Sequence, residues 1–179
     1  ALALDQNMTD ALSNLGAILL GRGKTSSAIR ALSKAIKLDP RHAMANMNLG
    51  NARRANGEPA AALGLHEEAS KLMPLSAKAW VNLATSQMDL QRLDEAEAAL
   101  KHSLVLSPAL IESLNNLGFL NINQPDYQAA ERCFGLALAA EPLYAAPHAG
   151  LAEVNFLQDR AAVALAHSAR ALELTPGDP

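Results

Sequence analysis

The first stretch whose residue types could carry out chemistry is Gly21-Arg22-Gly23-Lys24-Thr25, which ends in the Gly-Lys-Thr triplet of a phosphate-binding loop. Such a loop also needs a glycine five residues before Gly23, so that backbone N–H groups can surround the phosphates. Ile18 occupies that place, and no strand-like run precedes it. The sequence therefore argues against a nucleotide site and favours a glycine-containing turn.

Histidine and cysteine side chains also fail to form a recognisable site. His66-Glu67-Glu68 lacks the second histidine of a zinc-protease helix, and the spacing of all five histidines is unlike that of metal ligands. No Gly-x-Ser-x-Gly motif is present, and no histidine partner for Cys133 can be assigned. We therefore predict no catalytic residue, no metal and no cofactor, and we expect His66 to lie in the interior.

Asparagines make the most regular polar pattern. Asn14, Asn48, Asn82 and Asn116 recur at one constant interval, and Gly150 occupies the next place in the series. An asparagine amide can donate to a carbonyl and accept from an N–H. If the structure repeats with this period, the four side chains form an asparagine ladder that can hold the backbone of an extended peptide without reading its sequence.

Other landmarks share the same period. A fixed period of roughly 20–50 residues indicates an array of structural repeats. Prolines recur at Pro40, Pro74, Pro108, Pro142 and Pro176, alanines at Ala28, Ala62, Ala96, Ala130 and Ala164, and Asn-Leu-Gly triplets begin at Asn14, Asn48 and Asn116.

The repeating unit resembles the tetratricopeptide repeat, a helix–turn–helix of about 34 residues. In the fourth copy the family's signature positions are Leu114, Leu117-Gly118, Ala130, Phe134, Ala137 and Pro142. The resemblance implies an all-α fold, a right-handed α-solenoid in which each repeat has a first helix (A) and a second helix (B). The five predicted repeats are 9–42, 43–76, 77–110, 111–144 and 145–178.

Local signals place the helices within each repeat. In the first repeat we expect helix A over roughly Thr9–Leu20, capped by Thr9 or Asp10, with an apolar stripe of Leu12, Leu15, Ile18 and Leu19. Glycine, asparagine, aspartate and proline mark the A–B turns. These turns are predicted at Gly21-Arg22-Gly23, Asn56-Gly57-Glu58-Pro59, Gln91-Arg92-Leu93-Asp94, Asn123-Gln124-Pro125-Asp126 and Gln158-Asp159-Arg160.

Both ends of the chain suggest a longer parent protein. Residues 1–8 align with the closing turn of a repeat, so we interpret them as the tail of a preceding, truncated repeat. Neither end has an obvious polar cap, which solenoids usually need for solubility. An excised array is therefore the favoured interpretation.

Composition and charge exclude some functions. The net charge of −3, the pI near 5.9 and the 3% aromatic content are unlike those of a nucleic-acid binder. No apolar run is long enough for a membrane span, and the single cysteine cannot form an internal disulfide. We expect a soluble protein and leave the compartment open, with the cytoplasm favoured.

Positive charge is concentrated in residues 22–54, which hold eight lysines and arginines against one acid, Asp39. Arg30, Lys34 and Lys37 are spaced to form one stripe on helix B of the first repeat. A solvated outer face is one interpretation. The other is a docking surface for an acidic partner or for a second copy of the chain, joined head to tail.

The function predicted from these patterns is protein–protein interaction without catalysis. In the family that the chain resembles, A helices line a concave groove, which implies that a partner protein or extended peptide binds there. An equally simple explanation is that asparagine is common at this position across the family. The predicted groove residues are Asn14, Asn48, Asn51, Asn82, Asn115, Asn116, Met44, Met47, Arg54, Lys78 and Phe119.

Two alternatives remain open at this stage. The asparagine ladder resembles that of O-linked N-acetylglucosamine transferases, so the chain is alternatively the substrate-recruiting arm of a larger enzyme such as a glycosyltransferase. It is also interpretable as a structural subunit that assembles end to end. A catalytic domain on the same polypeptide would distinguish the first alternative, and concentration-dependent oligomers the second.

Overall fold

The computed structural model describes residues 2–175, with side chains described from Gln6 onward. Over that range the chain forms ten α-helices and no strand, which confirms the predicted all-α class. The helices are α1 (Leu2–Gly21), α2 (Thr25–Leu38), α3 (Ala43–Ala55), α4 (Pro59–Leu72), α5 (Ala77–Asp89), α6 (Leu93–Leu106), α7 (Ile111–Asn123), α8 (Tyr127–Ala140), α9 (Ala145–Leu157) and α10 (Ala161–Leu174).

The helix bounds repeat with the sequence period. Successive B helices begin one period apart, and so do successive A helices from α3 onward. The A–B turns fall at the predicted segments or within two residues of them, since Leu93 and Asp94 of the predicted third turn already belong to α6. Pro59 is the first residue of α4, where a missing N–H costs nothing. Gly23 and Gly57 hold positive φ angles in their turns, as do Gln91 and Asp159 at the equivalent places.

The first helix differs from the prediction. It begins at Leu2 rather than near Thr9, because Gln6 stands where later repeats have the proline that ends helix B. Thr9 is consequently an interior helix residue and not a cap, and Asp10 accepts a 2.8 Å hydrogen bond from His42 Nε2. The separate tail at residues 1–8 stays a prediction.

The chain divides into two compact units, the first ending at Ala99 and the second beginning at Leu100. In the first unit α1 pairs with α2 and α3 with α4, and each A helix also packs on the preceding pair. In the second unit α7 pairs with α8 and α9 with α10, and α9 packs against both α7 and α8.

In the first unit, small residues let the helices approach closely. Leu32 of α2 lies directly over Gly16 of α1, where a Cβ atom would overlap its side chain. Leu49 and Ala52 of α3 complete this cluster around Leu32. Burying each of the two leucine side chains contributes about 1.5–3 kcal/mol.

The next helix pair uses a polar side chain at the same register. His66 of α4 takes the place held by Leu32 in α2, lies fully buried over Gly50, and has its Nδ1 atom 2.7 Å from Ser86 Oγ of α5. Its Nε2 atom lies near the Met47 backbone without making a hydrogen bond of normal geometry. The full burial of His66 confirms the predicted interior position. Burial also lowers the pKa of His66 to about 4, so the side chain is neutral at pH 7.

In α8 of the second unit this register holds an aromatic ring. Phe134 of α8 is fully buried, and its ring occupies the space that side chains at Gly118 and Gly150 would need. Phe119 packs on it edge to face at 5.2 Å between ring centroids. Val154 of α9 belongs to the same cluster. The core of the second unit therefore centres on one aromatic side chain.

A recurrent hydrogen bond ties the start of an A helix to the proline that precedes it. Trp80 Nε1 donates to the Pro74 carbonyl and Asn46 Nδ2 donates to the Pro40 carbonyl, each at 2.9 Å. Both donors lie at the same distance along the chain from their proline. A tryptophan and an asparagine thus serve one role, which the sequence pattern of large residues does not reveal.

Candidate peptide-binding face

Three members of the asparagine ladder lie on consecutive A helices of the first unit. Asn14 of α1 is exposed, and Asn48 of α3 and Asn82 of α5 are partly exposed. Because α1 packs on α3 and α3 on α5, side chains at the same register of these helices lie on one side of the unit. We call this surface, defined by Asn14, Asn48 and Asn82, the A-helix face.

The ladder amides differ in their partners. Asn48 Nδ2 donates to Ser13 Oγ of the preceding A helix over a long 3.5 Å. Asn82 Nδ2 is buried without a partner, because the residue at the register of Ser13 in α3 is Met47, whose side chain offers no oxygen. A buried donor without a partner costs about 1–3 kcal/mol. The fold itself therefore holds the Asn48 amide weakly and leaves the Asn82 Nδ2 atom without a hydrogen bond.

Further predicted groove residues surround these asparagines. Met44 and Lys78 are exposed and Asn51 is partly exposed. Met47 is buried and lies beneath the A-helix face rather than on it. Its neighbours on α1 and α5 at the same register, Ser13 and Val81, are buried as well, so this position packs consecutive A helices together.

Arg54 of α3 forms an ion pair with Asp89 of α5. Both side chains are about one-third exposed. The pair links two A helices and neutralises the charge that Arg54 would otherwise offer to a ligand. The sequence did not indicate this, because the two residues belong to different repeats.

The second unit holds the remaining predicted residues. Asn116 and Phe119 of α7 are partly exposed, whereas Asn115 is buried with its Oδ1 atom unpaired. The next helix of the unit, α9, carries Gly150 at the ladder register, and the Phe134 ring fills the space there. The ladder stops at α9 because an asparagine side chain would collide with this ring.

Other groups with potential chemistry lie apart from these positions. Burial raises the pKa of the Cys133 thiol, so it is protonated at neutral pH and a poor nucleophile. His148 and His167 face each other with their Nδ1 atoms 3.0 Å apart. The pKa of His148 is lowered, mainly because the side chain is partly buried and also because His167 lies close to it. Among residues 2–175 no group of three or more potential ligands is arranged to hold a metal ion.

The basic window lies mainly outside the A-helix face. Arg30, Lys34 and Lys37 are exposed on α2, a B helix. Arg30 is hydrogen bonded to Ser27 one turn earlier.

Within the described range, no helix combines the length and apolar character that crossing a bilayer requires.

Comparison with known proteins gives consistent results. One tetratricopeptide repeat model matches residues 13–71 and 122–179, and a second tetratricopeptide repeat model matches residues 53–104. No curated protein sequence matches.

Among solved structures, the chain is similar to TTC0263, a thermophilic TPR protein of Thermus thermophilus, with TM-score 0.84, 23% identity and coverage of 95% of this chain and 93% of that one. Pseudomonas aeruginosa PilF gives TM-score 0.84, 21% identity and coverage of 98% and 79%. MamA from Desulfovibrio magneticus RS-1 gives TM-score 0.76, 18% identity and coverage of 96% and 98%.

Identities as low as these establish a shared fold and nothing about partners. The sequence models, however, cover well over half of the residues. Together with helix pairs whose bounds repeat at one constant interval, they show that this chain belongs to the tetratricopeptide repeat family.

Proposed function

We propose that this chain is a non-catalytic interaction module that binds an extended peptide, or an extended segment of a partner protein, across the A-helix face. The observation that carries the proposal is the placement of Asn14, Asn48 and Asn82 at one register of three helices packed in order. Helical-repeat proteins commonly use such surfaces for binding.

The spacing of the helices suits an extended ligand. Packed helices lie about 8–10 Å apart, and an extended chain advances about 3.3 Å per residue. Each asparagine would therefore meet about every third peptide unit. Asn14 and Asn48 would donate to its carbonyl and accept from its N–H, whereas Asn82, whose Nδ2 atom is buried, would accept through its Oδ1 atom. Met44 and Lys78 at the margins would select among side chains, since methionine adapts to varied apolar groups.

The test is binding of an extended-peptide library to the 179-residue chain and to an Asn14→Ala, Asn48→Ala, Asn82→Ala variant. We expect the variant to lose at least about tenfold in affinity, since each lost hydrogen bond is worth about 0.5–1.5 kcal/mol. A matched control carries Asn7→Ala and Asn123→Ala, two exposed asparagines outside the ladder, and should bind like the wild type.

A second arm of the experiment tests whether hydrogen bonds to the peptide backbone are needed for binding. N-methylation of every third peptide unit removes the N–H groups in one register, and we expect one of the three registers to abolish binding. Equal binding by wild type and the ladder variant contradicts the proposal, and so does equal tolerance of all three methylation registers. The same face would also suit the substrate-recruiting arm of a larger enzyme. A catalytic domain on the same polypeptide would distinguish that function from a stand-alone interaction module.

A further inference from the structure

The pairing of α9 with α10 brings two imidazole rings together inside the fifth repeat. His148 Nδ1 lies 3.0 Å from His167 Nδ1, and the ring centroids are 5.3 Å apart. The rings therefore meet edge to edge, with one nitrogen of each facing the other. Both side chains are partly exposed, so an ion in solution can reach the pair.

The fold gives one nitrogen of His148 a structural role and leaves the other available. The ring interacts with the backbone of Pro142, which has no N–H and therefore accepts through its carbonyl. Asn46 and Trp80 donate to the carbonyl of the equivalent proline in earlier repeats. Because Nδ1 faces His167, Nε2 is the atom that donates to Pro142. The Nδ1 atom of His148 is left with its lone pair.

Packing of the repeat does not require two histidines at this register. In the other four repeats, at most one member of the equivalent pair carries an atom that could bind a metal ion. These pairs are Leu12 and Ala31, Asn46 and Leu65, Trp80 and Ala99, and Leu114 and Cys133. The second imidazole of the fifth repeat therefore adds a ligand atom that the fold does not need.

The distance between the two Nδ1 atoms suits a chelated metal ion. With metal–nitrogen bonds of about 2.0–2.1 Å, two nitrogens 3.0 Å apart subtend an angle of about 90–97° at the ion. Neighbouring ligands of square-planar and tetragonal Cu²⁺ and Ni²⁺ make nearly this angle, whereas tetrahedral Zn²⁺ prefers a wider one. The ion would lie beside the line that joins the two atoms, and the broad χ2 torsion of histidine lets both rings turn toward it.

The charges around the pair are compatible with a cation. Burial and then the nearby His167 lower the pKa of His148, so the ring is unprotonated at neutral pH, which is the form that binds metals. Arg170 also lowers this pKa. Its guanidinium forms a 2.8 Å ion pair with Glu173, so the carboxylate offsets the positive charge beside the site.

We propose that His148 and His167 form a two-histidine chelate site for Cu²⁺ or Ni²⁺, with both Nδ1 atoms as ligands and water at the remaining positions. Without an ion, His167 Nδ1–H donates to His148 Nδ1. Binding requires that proton to move to Nε2 of His167, which changes the tautomer and not the charge. Sequence spacing does not reveal the pair, because its members lie on different helices.

The site is independent of the peptide-binding proposal, since it belongs to the second unit and uses no ladder residue. The test is calorimetric titration of the 179-residue chain, without an affinity tag, with Ni²⁺ and with Zn²⁺ at neutral pH. We expect one Ni²⁺ ion to bind per chain. Zn²⁺ should bind more weakly, and the reverse order would contradict the ligand geometry.

The variant that isolates the site is His148→Asn with His167→Leu. It recreates the Asn46 and Leu65 pair of the second repeat, so it keeps a donor for the Pro142 carbonyl and should keep wild-type helicity. Its affinity for Ni²⁺ should fall by more than about tenfold, since losing even an outer partner of a metal ligand costs about that much. The matched control, His102→Gln, removes an exposed histidine of α6 and should bind like the wild type.

Electron paramagnetic resonance of the Cu²⁺ adduct counts the ligands directly. We expect coupling to two nitrogen nuclei in the wild type and to one in each single variant, His148→Asn or His167→Leu. A wild type that binds neither Cu²⁺ nor Ni²⁺ overturns the proposal. Equal affinity in the double variant, or a Cu²⁺ spectrum without two nitrogen couplings, overturns it as well.

Discussion

Two helix pairs, one in each unit, fill the same register of the repeat with different chemistry, and the consequences reach their surfaces. The first unit places His66 over Gly50 and bonds it to Ser86, whereas the second places Phe134 between Gly118 and Gly150. The polar pair leaves room for an asparagine at the ladder register of the next helix. The aromatic ring does not. Core volume in one helix therefore decides whether the following helix can present a ladder amide.

The largest effect is expected from Phe134→Ala in the second unit. The ring is fully buried and contacts both α7 and α9, so its removal should lower the free energy of unfolding by about 3–5 kcal/mol. Urea denaturation measures this. Leu136→Ala, at an exposed position of the same helix, is the control and should change stability by less than about 0.5 kcal/mol. Equal losses of unfolding free energy in both variants would contradict a central role for Phe134 in the core.

The first unit should instead respond to pH. Burial lowers the pKa of His66 to about 4, below its ordinary value near 6.5. Between these values the unfolded chain binds the extra proton, so stability falls as pH falls from about 6.5 to about 4. The loss attributable to His66 is about 2–3 kcal/mol.

The variant that isolates this effect is His66→Leu with Ser86→Ala, which recreates the Leu32–Ala52 pairing of the first helix groove. Its free energy of unfolding should depend less steeply on pH than that of the wild type between pH 6.5 and 4. Urea titrations at several pH values make the comparison. Since His148 also has a lowered pKa, some slope should persist. An unchanged slope would mean that His66 is not the responsible group.

Restoring the ladder in the second unit should be unfavourable. Gly150→Asn places a side chain in the space of the Phe134 ring, and overpacking of this kind costs about 1–3 kcal/mol. Combining it with Phe134→Leu should recover part of the loss, giving a coupling energy measurable by a double-mutant cycle. Strict additivity of the two changes would contradict the steric explanation.

The smallest expected effect concerns the ion pair between α3 and α5. Asp89→Asn frees Arg54 from its ion pair, so the affinity for acidic peptides should rise about two- to fivefold, in line with the modest worth of exposed pairs. Fluorescence anisotropy with labelled acidic and neutral peptides measures the change. Glu58→Gln releases Arg53 from a pair within a single repeat and should leave peptide affinity unchanged.

Much of the fold could be predicted from periodic residues alone. Glycine, asparagine, aspartate and proline residues predict the A–B turns, and Gln6 in place of a proline explains why α1 begins earlier than expected. The interior position of His66 also followed from its register. These features depend on short segments, whose backbone preferences are set by the residues within them.

The site was less predictable because its exposure depends on neighbouring helices. Met47 and Asn115 lie under the faces that they were expected to line, since adjacent A helices pack over them. The pairing of Arg54 with Asp89 joins residues far apart in sequence. Leu15 and Ile18 are exposed although their equivalents in later repeats are mostly buried. One sequence position thus has different surroundings in different repeats.

The fit between Phe134 and Gly150 also bears on how such a gene can change by duplication and loss. Helix bounds that recur at a constant interval would let whole repeats be copied or deleted without disturbing the order of helices and turns. Phe134, however, demands a glycine in the repeat that follows it. The fourth and fifth repeats should therefore be inherited as a pair, whereas a repeat carrying leucine at that position accepts a wider range of successors.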